Sequence, residues 1–466
     1  MTGRSVPYWP RAGWAVLGCL ALGIVTALYA GLLLRGLFAD GVNFLLPMLS
    51  TRSVVIQMPS RVTSVALLQA PTLAALWLGA DRLSTVACLY SVTLNVLPLL
   101  GIALCFPILP RERRAFFLLP AFAAFGGIYA AWYAAVVEGP ITAAFFWVAF
   151  TLIVFGRERL LWRILLVALA LPMLELLEPM VFLGPVLALA CLQRRTASTQ
   201  RGTRILLILL ALWFLAVAVH AGMEILHPTV PGNRDGFIRQ FLGLWWLYTP
   251  GGWINGPAIV TVCAGAAILA AMLCPDWSDL LLGAFGATAI LFTAGAFATD
   301  RLIAPQAQFY ARYLADLLSL PLALLALASL RWPALTARWA TAPSLAIVLM
   351  LGLAGAAWNV AAARDWDRYA TAFRAVLARH DGLIPWETAI GELSRDDAVM
   401  FKRLDWVWTT PGLSIVLSPG GRVHAIIDNN PDHGWIPFDP ADTAQLPTSP
   451  LFSTEEYRAA LARAKP

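Results

Sequence analysis

Charge is scarce in this chain. Of 466 residues, 13% are Asp, Glu, Lys or Arg, against 59% hydrophobic. Soluble domains carry about a quarter charged residues, so an ordinary soluble enzyme is excluded. Histidine is also sparse, with five in all, and none stands at a metal-ligand spacing. The nearest approach is His424, Asp428, Asp432 and His433 around one turn. The six cysteines, Cys19, Cys88, Cys105, Cys191, Cys263 and Cys274, lie in or at the ends of apolar runs and form no C-x-x-C pair. That argues against a zinc site or a disulfide framework and for isolated thiols packed as small hydrophobes. There is no glycine-rich phosphate loop, no G-x-S-x-G elbow and no dinucleotide fingerprint. A cytoplasmic nucleotide-sugar enzyme and an ATP-driven pump are disfavoured.

What is present is a series of long apolar runs. Lipid accepts only segments that satisfy their own backbone, which means helices or closed barrels. These runs are continuous rather than alternating, so they read as transmembrane helices. The net charge of +6 does not signal nucleic-acid binding, because most arginines before the last hundred residues sit in short loops, where they report orientation. Arg4 and Arg11 precede the first run, 13–34, which reads as a retained helix with a cytoplasmic N-terminus. Further spans are expected at 83–109, 115–137, 141–155, 205–221, 257–273, 280–298, 314–330 and 343–362. The stretch 160–192 is too long for one span and is interrupted by Glu175 and Glu178-Pro179. Both of its ends are basic, so it reads as two short helices meeting near 175–179. The expected fold class is thus an all-α polytopic membrane protein of about eleven spans, with the C-terminus extracytoplasmic.

Two regions break the pattern. The first outer loop, 35–82, contains apolar stretches at 54–58 and 62–80 broken by Pro59, Arg61, Gln69 and Pro71. One or two interfacial helices are expected there. Residues 1–362 form the transmembrane domain. The segment 363–466 has an ordinary globular share of charge and reads as a small α+β appendage. It opens with an amphipathic helical pattern over 366–378, followed by a short helix over 386–393. Leu413-Ser-Ile-Val-Leu417, Ser418-Pro-Gly-Gly421 and Val423-His-Ala-Ile-Ile427 predict a β-hairpin.

The alternating topology gathers Asp40, Arg52, Arg61, Glu138, Glu175, Glu178, Arg234, Asp235, Asp300, Arg301 and Arg312 toward the outer side. Ionisable groups at membrane depth are costly and are functional candidates by default. Asp40, where the chain leaves the first span, reads either as the acid of an Asp-Gly turn facing water or as a catalytic acid. Glu175 and Glu178, three residues apart, read as a solvated hairpin tip, as a cation site or as partners of a basic group. Two carboxylates alone do not make a divalent-cation site. Arg301 and Arg312 flank a loop and suit either a phosphate or the interface. Trp245 and Trp246 suit either a sugar ring or the aromatic belt.

This layout resembles the GT-C superfamily of integral-membrane glycosyltransferases: an inside N-terminus, one span, a large outer loop opening with an acid, many further spans, and an outer C-terminal appendage. The resemblance implies a polyprenyl-phosphate-linked sugar as donor, an acceptor not identified by the sequence, and the lipid bilayer as surroundings, with no nucleic-acid partner. It gives Asp40 the acid's place and Arg301 or Arg312 the lipid phosphate, with Glu138, Glu175, Glu178, Trp245 and Trp246 as further substrate-binding candidates. The family often carries a paired acid; here Gly41 follows Asp40, and a divalent cation stays a candidate cofactor rather than an implied one. The expected location is a bacterial inner (plasma) membrane, within the cell envelope. Two other readings stand beside this one: a lipid or polysaccharide transporter or flippase, and a non-catalytic membrane assembly subunit.

Overall fold

The computed structural model describes residues 9–56, 58–131, 138–228, 255–298, 311–380, 382–404, 409–418 and 424–427, with Ile238, Leu244 and Leu247. Among these, helix dominates, and nine helical segments are long and apolar enough to cross a membrane. They are Ala12–Leu32, Leu83–Ile108, Arg111–Ala131, Glu138–Phe155, Arg201–Leu226, Gly256–Leu273, Pro275–Gly295, Ala311–Arg331 and Ala342–Leu377. The chain is an all-α polytopic membrane protein. Each of the nine overlaps a run picked out by apolar length alone.

The stretch 160–192 does form two helices, α7 (Leu160–Ala170) and α8 (Met180–Ala197), joined through a 3-10 turn at Leu171–Glu175. Neither is among the nine. At 1.5 Å per residue, the 11 residues of α7 reach only about 17 Å, short of a hydrocarbon core of about 30 Å. The expected single helix over 115–137 is instead a composite. A 3-10 stretch (Arg111–Phe117) leads into α5 (Leu118–Ala123), a π-helical turn (Ala124–Ile128) and a second 3-10 turn (Tyr129–Ala131). Its span is 94% buried, so its neighbours are protein rather than lipid. Gly127 is needed there, because a Cβ would stand 2.2 Å from Ala315 Cα.

The chain divides into two compact units. The first gathers Met1–Ala27, Ile56–Val65 and Val96–Asn359. Within it, α6 (Glu138–Phe155), the composite span and α12 (Leu314–Arg331) pack together, and Ala130, Ala131, Ala258, Ala311 and Leu314 form a buried core. Asn255 caps α10 (Gly256–Leu273) by accepting from the Ala258 amide at 3.3 Å.

The second unit gathers Leu28–Val55, Ala66–Asn95 and Val360–Pro466. The C-terminal segment therefore shares a unit with the residues around Asp40. The Trp366 indole donates to the Leu33 carbonyl at 2.8 Å, and the Trp366 ring meets Phe38 edge-on at 6.1 Å. Tyr369, Phe373, Phe401 and Trp386 continue this aromatic packing. The helix carrying Trp366, α14 (Ala342–Leu377), runs without a break through the expected change of character at 362–363.

The predicted hairpin does not form. Thr410–Leu417 is a helix, α17, and His424–Ile427 is a strand, β2, paired in parallel with β1 (Gly382–Pro385). Pro411 in the first turn suits a helix start, and a short buried apolar run has no periodicity that separates strand from helix.

Candidate functional site

The polar groups that converge in the first unit belong to three irregular junctions and one helix start. Pro59 opens the 3-10 turn Pro59–Arg61 after an extended Met58, as a residue before proline prefers. The turn carries Arg61 to a buried position. Glu175 and Glu178, three residues apart, do not lie on one helix. Glu175 ends the 3-10 turn and is half-buried, whereas Glu178 lies in a turn and is buried. Pro179 disfavours helical geometry at Glu178 and frees its side chain to turn inward. Glu138 is the first residue of α6. Its neighbour Gly139 lets the start of α6 touch the main chain of residue 312, since a Cβ there would lie 1.9 Å from the Arg312 carbonyl oxygen.

Arg61 is the centre of the cluster. Its Nε and Nη2 donate to Glu178 Oε1 at 3.0 and 2.9 Å, and its Nη1 donates to Glu138 Oε2 at 3.1 Å. Nη2 also donates to the Tyr313 hydroxyl at 3.2 Å, and that hydroxyl donates to Glu178 Oε2 at 3.3 Å. Arg312 Nη1 stands 3.8 Å from Glu138 Oε2, while its guanidinium lies 5.0 Å from the Tyr313 ring centre. Burial disfavours the charge of Arg61, but Glu138, Tyr313 and Glu178 outweigh it and hold the guanidinium more firmly protonated than usual. Burial likewise opposes the charge of Glu178, and Arg61 reverses this, holding the carboxyl below its ordinary value. A buried pair of this kind stays charged because each partner is charged and hydrogen-bonded to the other.

Asp316 stands apart. It lies in the first turn of α12 and is fully buried. Among the described residues neither of its carboxyl oxygens has a hydrogen-bond partner. Oδ2 lies 3.1 Å from the place a Cβ would take on Gly139, so the carboxyl is directed at the start of α6 beside Glu138. A helix N-terminus favours a carboxylate by about 0.3–2 kcal/mol. That is less than the several kcal/mol needed to take an unpaired charge out of water.

In the second unit, Asp40 is the first residue of α2 (Asp40–Thr51) and is half-buried. The chain reaches it through Leu34 at φ 66° and Ala39 at φ 48°, both in the left-handed region that residues with side chains avoid. The intervening turn, Arg35–Leu37, is tied to α4 (Leu83–Ile108): Arg35 Nη2 donates to Asn95 Oδ1 at 2.5 Å, and the Gly36 amide donates to Ser91 Oγ at 2.9 Å.

The structure therefore brings together Glu138, Glu178 and Arg312, and places Asp40 in the other unit. Arg301, Trp245 and Trp246 lie outside the described residues. Sequence reading counted Arg61 among the ionisable candidates without giving it a specific partner, and passed over Asp316; an acid inside the run 314–330 is the signal that marks the latter. Among the described residues no three His, Cys, Asp or Glu side chains converge as a metal site. No protein-family model, curated protein or solved structure matches the chain.

Proposed function

We propose that the chain is a membrane glycosyltransferase of the GT-C type, moving a sugar from a polyprenyl-phosphate donor to an acceptor at the outer face of the membrane. The observation that supports this reading is the backbone leading into Asp40. Non-glycine residues held at positive φ cost about 1–3 kcal/mol each and concentrate at functional sites. Two of them, Leu34 and Ala39, stand within six residues of Asp40. In the proposed reaction Asp40 takes the proton of the acceptor hydroxyl as its oxygen bonds to the anomeric carbon. The bond from that carbon to the phosphate oxygen breaks, its electron pair leaves with the phosphate, and the anomeric configuration inverts. The charge of the departing phosphate is met by a cation or hydrogen-bond donors. In the same reading α7 and α8 complete eleven crossings as two short legs in a bacterial inner membrane, with the N-terminus cytoplasmic and the C-terminus outside.

The test is transfer from a polyprenyl-phosphate sugar in native membranes, comparing the parent with Asp40→Ala and Asp40→Asn. Undiminished transfer by folded variants removes Asp40 from the mechanism.

One observation favours the transporter reading. Arg61, Glu138, Glu178 and Asp316 are all buried, and buried ionisable groups among apolar spans are what ion-coupled movement uses. Transport without transfer in the same membranes selects it.

A further inference from the structure

Among the described residues, the buried cluster of the first unit is short of one positive charge. Glu138, Glu178 and Asp316 supply three carboxyl groups, and Arg61 and Arg312 supply two guanidinium groups. The arginines are engaged with the two glutamates. The third acid, Asp316, is left with neither oxygen hydrogen-bonded among the described residues. Its surroundings offer little else. The elements α5 and the π-helical turn, which pack against α12, read Leu118-Leu-Pro-Ala-Phe-Ala123 and Ala124-Phe-Gly-Gly-Ile128 and hold no titratable group. Among the described residues, the titratable and charged groups nearby are Glu138 on α6, Arg312 and Tyr313 in the turn before α12, Glu178 before α8, and Arg61.

We propose that Asp316 is a proton-binding site, and that its carboxyl carries the one proton that balances this cluster. A metal ion would need several converging oxygen ligands, and among the described residues no three His, Cys, Asp or Glu side chains converge to hold one. A proton needs only the one carboxyl. The consequence of losing it is set by spacing. Arg312, in the turn before α12, and Asp316, in the first turn of α12, are four residues apart, and Arg312 Nη1 stands 3.8 Å from Glu138 Oε2. When the proton leaves, the new carboxylate competes with Glu138 for Arg312. Asp316 is thereby a switch that acts on the pairing of Arg312 with Glu138. The proposal does not depend on sugar transfer.

Infrared spectroscopy of the full chain in lipid nanodiscs tests it at neutral pH. A protonated-carboxyl carbonyl band is expected, shifting when aspartate is labelled with carbon-13 at the side-chain carboxyl and absent from Asp316→Asn. The label reads the parent directly, so the result stands even if the variant fails to fold. A parent with no label-sensitive band overturns the proposal. So does a band that persists unchanged in a folded Asp316→Asn protein. A thermal midpoint that rises with sodium or potassium in the parent and not in Asp316→Asn also overturns it, in favour of a bound metal cation.

Discussion

Arg61 places two donors, Nε at 3.0 Å and Nη2 at 2.9 Å, on the same carboxylate oxygen of Glu178, across 117 residues of sequence. Its third donor reaches Glu138, so one guanidinium holds two acids from two different junctions. Removing it leaves two buried carboxylates without their principal partner. Arg61→Ala is expected to destabilise the protein by about 3–5 kcal/mol, read as a lower thermal midpoint in detergent. The triple variant with Glu138→Gln and Glu178→Gln recovers part of that loss, because the stranded charges are gone. Arg61→Lys recovers little, since an ammonium cannot bridge three acceptors in a fixed fork. A triple variant less stable than Arg61→Ala alone contradicts this account.

The same pair predicts acid sensitivity. Arg61 holds the Glu178 carboxyl below its ordinary value of 4.5 in the folded chain. The unfolded chain then binds the proton more readily, so this contribution is fully present above 4.5 and is lost as pH falls toward the lowered value. Thermal midpoints measured from neutral pH downward should fall faster in the parent than in Glu178→Gln. Parallel curves contradict the prediction.

Gly139 gives a steric test. Gly139→Ala drives a Cβ to within 1.9 Å of the Arg312 carbonyl, a main-chain atom that no side-chain rotation relieves. The expected loss is about 1–3 kcal/mol or more. Gly283, also within a helix but with nothing within 4 Å of its Cβ position, is the control. Gly283→Ala should gain about 0.5–1 kcal/mol. Opposite signs for the two substitutions, measured by thermal unfolding, are the expected result.

The strained approach to Asp40 predicts a split between stability and activity. Ala39→Gly relieves a φ of 48° and should leave stability unchanged or raise it by about 1 kcal/mol. It should lower sugar transfer, because the acid is then less rigidly placed. Asp40→Asn should lower transfer by about 10²–10⁴-fold. An Ala39→Gly protein that is both less stable and fully active contradicts the role given to this strain.

The spans were legible because about twenty consecutive apolar residues admit few other readings. The junction at Glu178-Pro179 was legible as well, since an acid beside a proline interrupts any long apolar helix. The partners of Arg61 were not. Glu138 and Glu178 lie 77 and 117 residues away, and a single sequence carries no trace of such pairings. Asp316 was overlooked for the opposite reason: one acid in a long apolar run barely alters its hydropathy, although it is buried with neither carboxyl oxygen hydrogen-bonded among the described residues. The segment 413–417 was misread because two apolar runs around Ser418-Pro-Gly-Gly421 outweighed the helix-start signal of Thr410-Pro411. Asp40 was found by position alone, and the strain beside it is invisible in sequence, since neither Leu34 nor Ala39 is a residue type that announces a positive φ.

Trp366 and Leu33 are bonded across 333 positions, and this sets a timetable during synthesis. At 5–20 residues per second, Trp366 is made roughly 17–67 s after Leu33. Throughout that interval the nascent chain already carries Asp40 but not the indole that later ties down the turn leading to it. Thr410–Leu417, which packs against α2, arrives later still. The acid is among the first groups translated and among the last to acquire its final setting, so a ribosome that stalls before Trp366 releases an unfinished Asp40 turn.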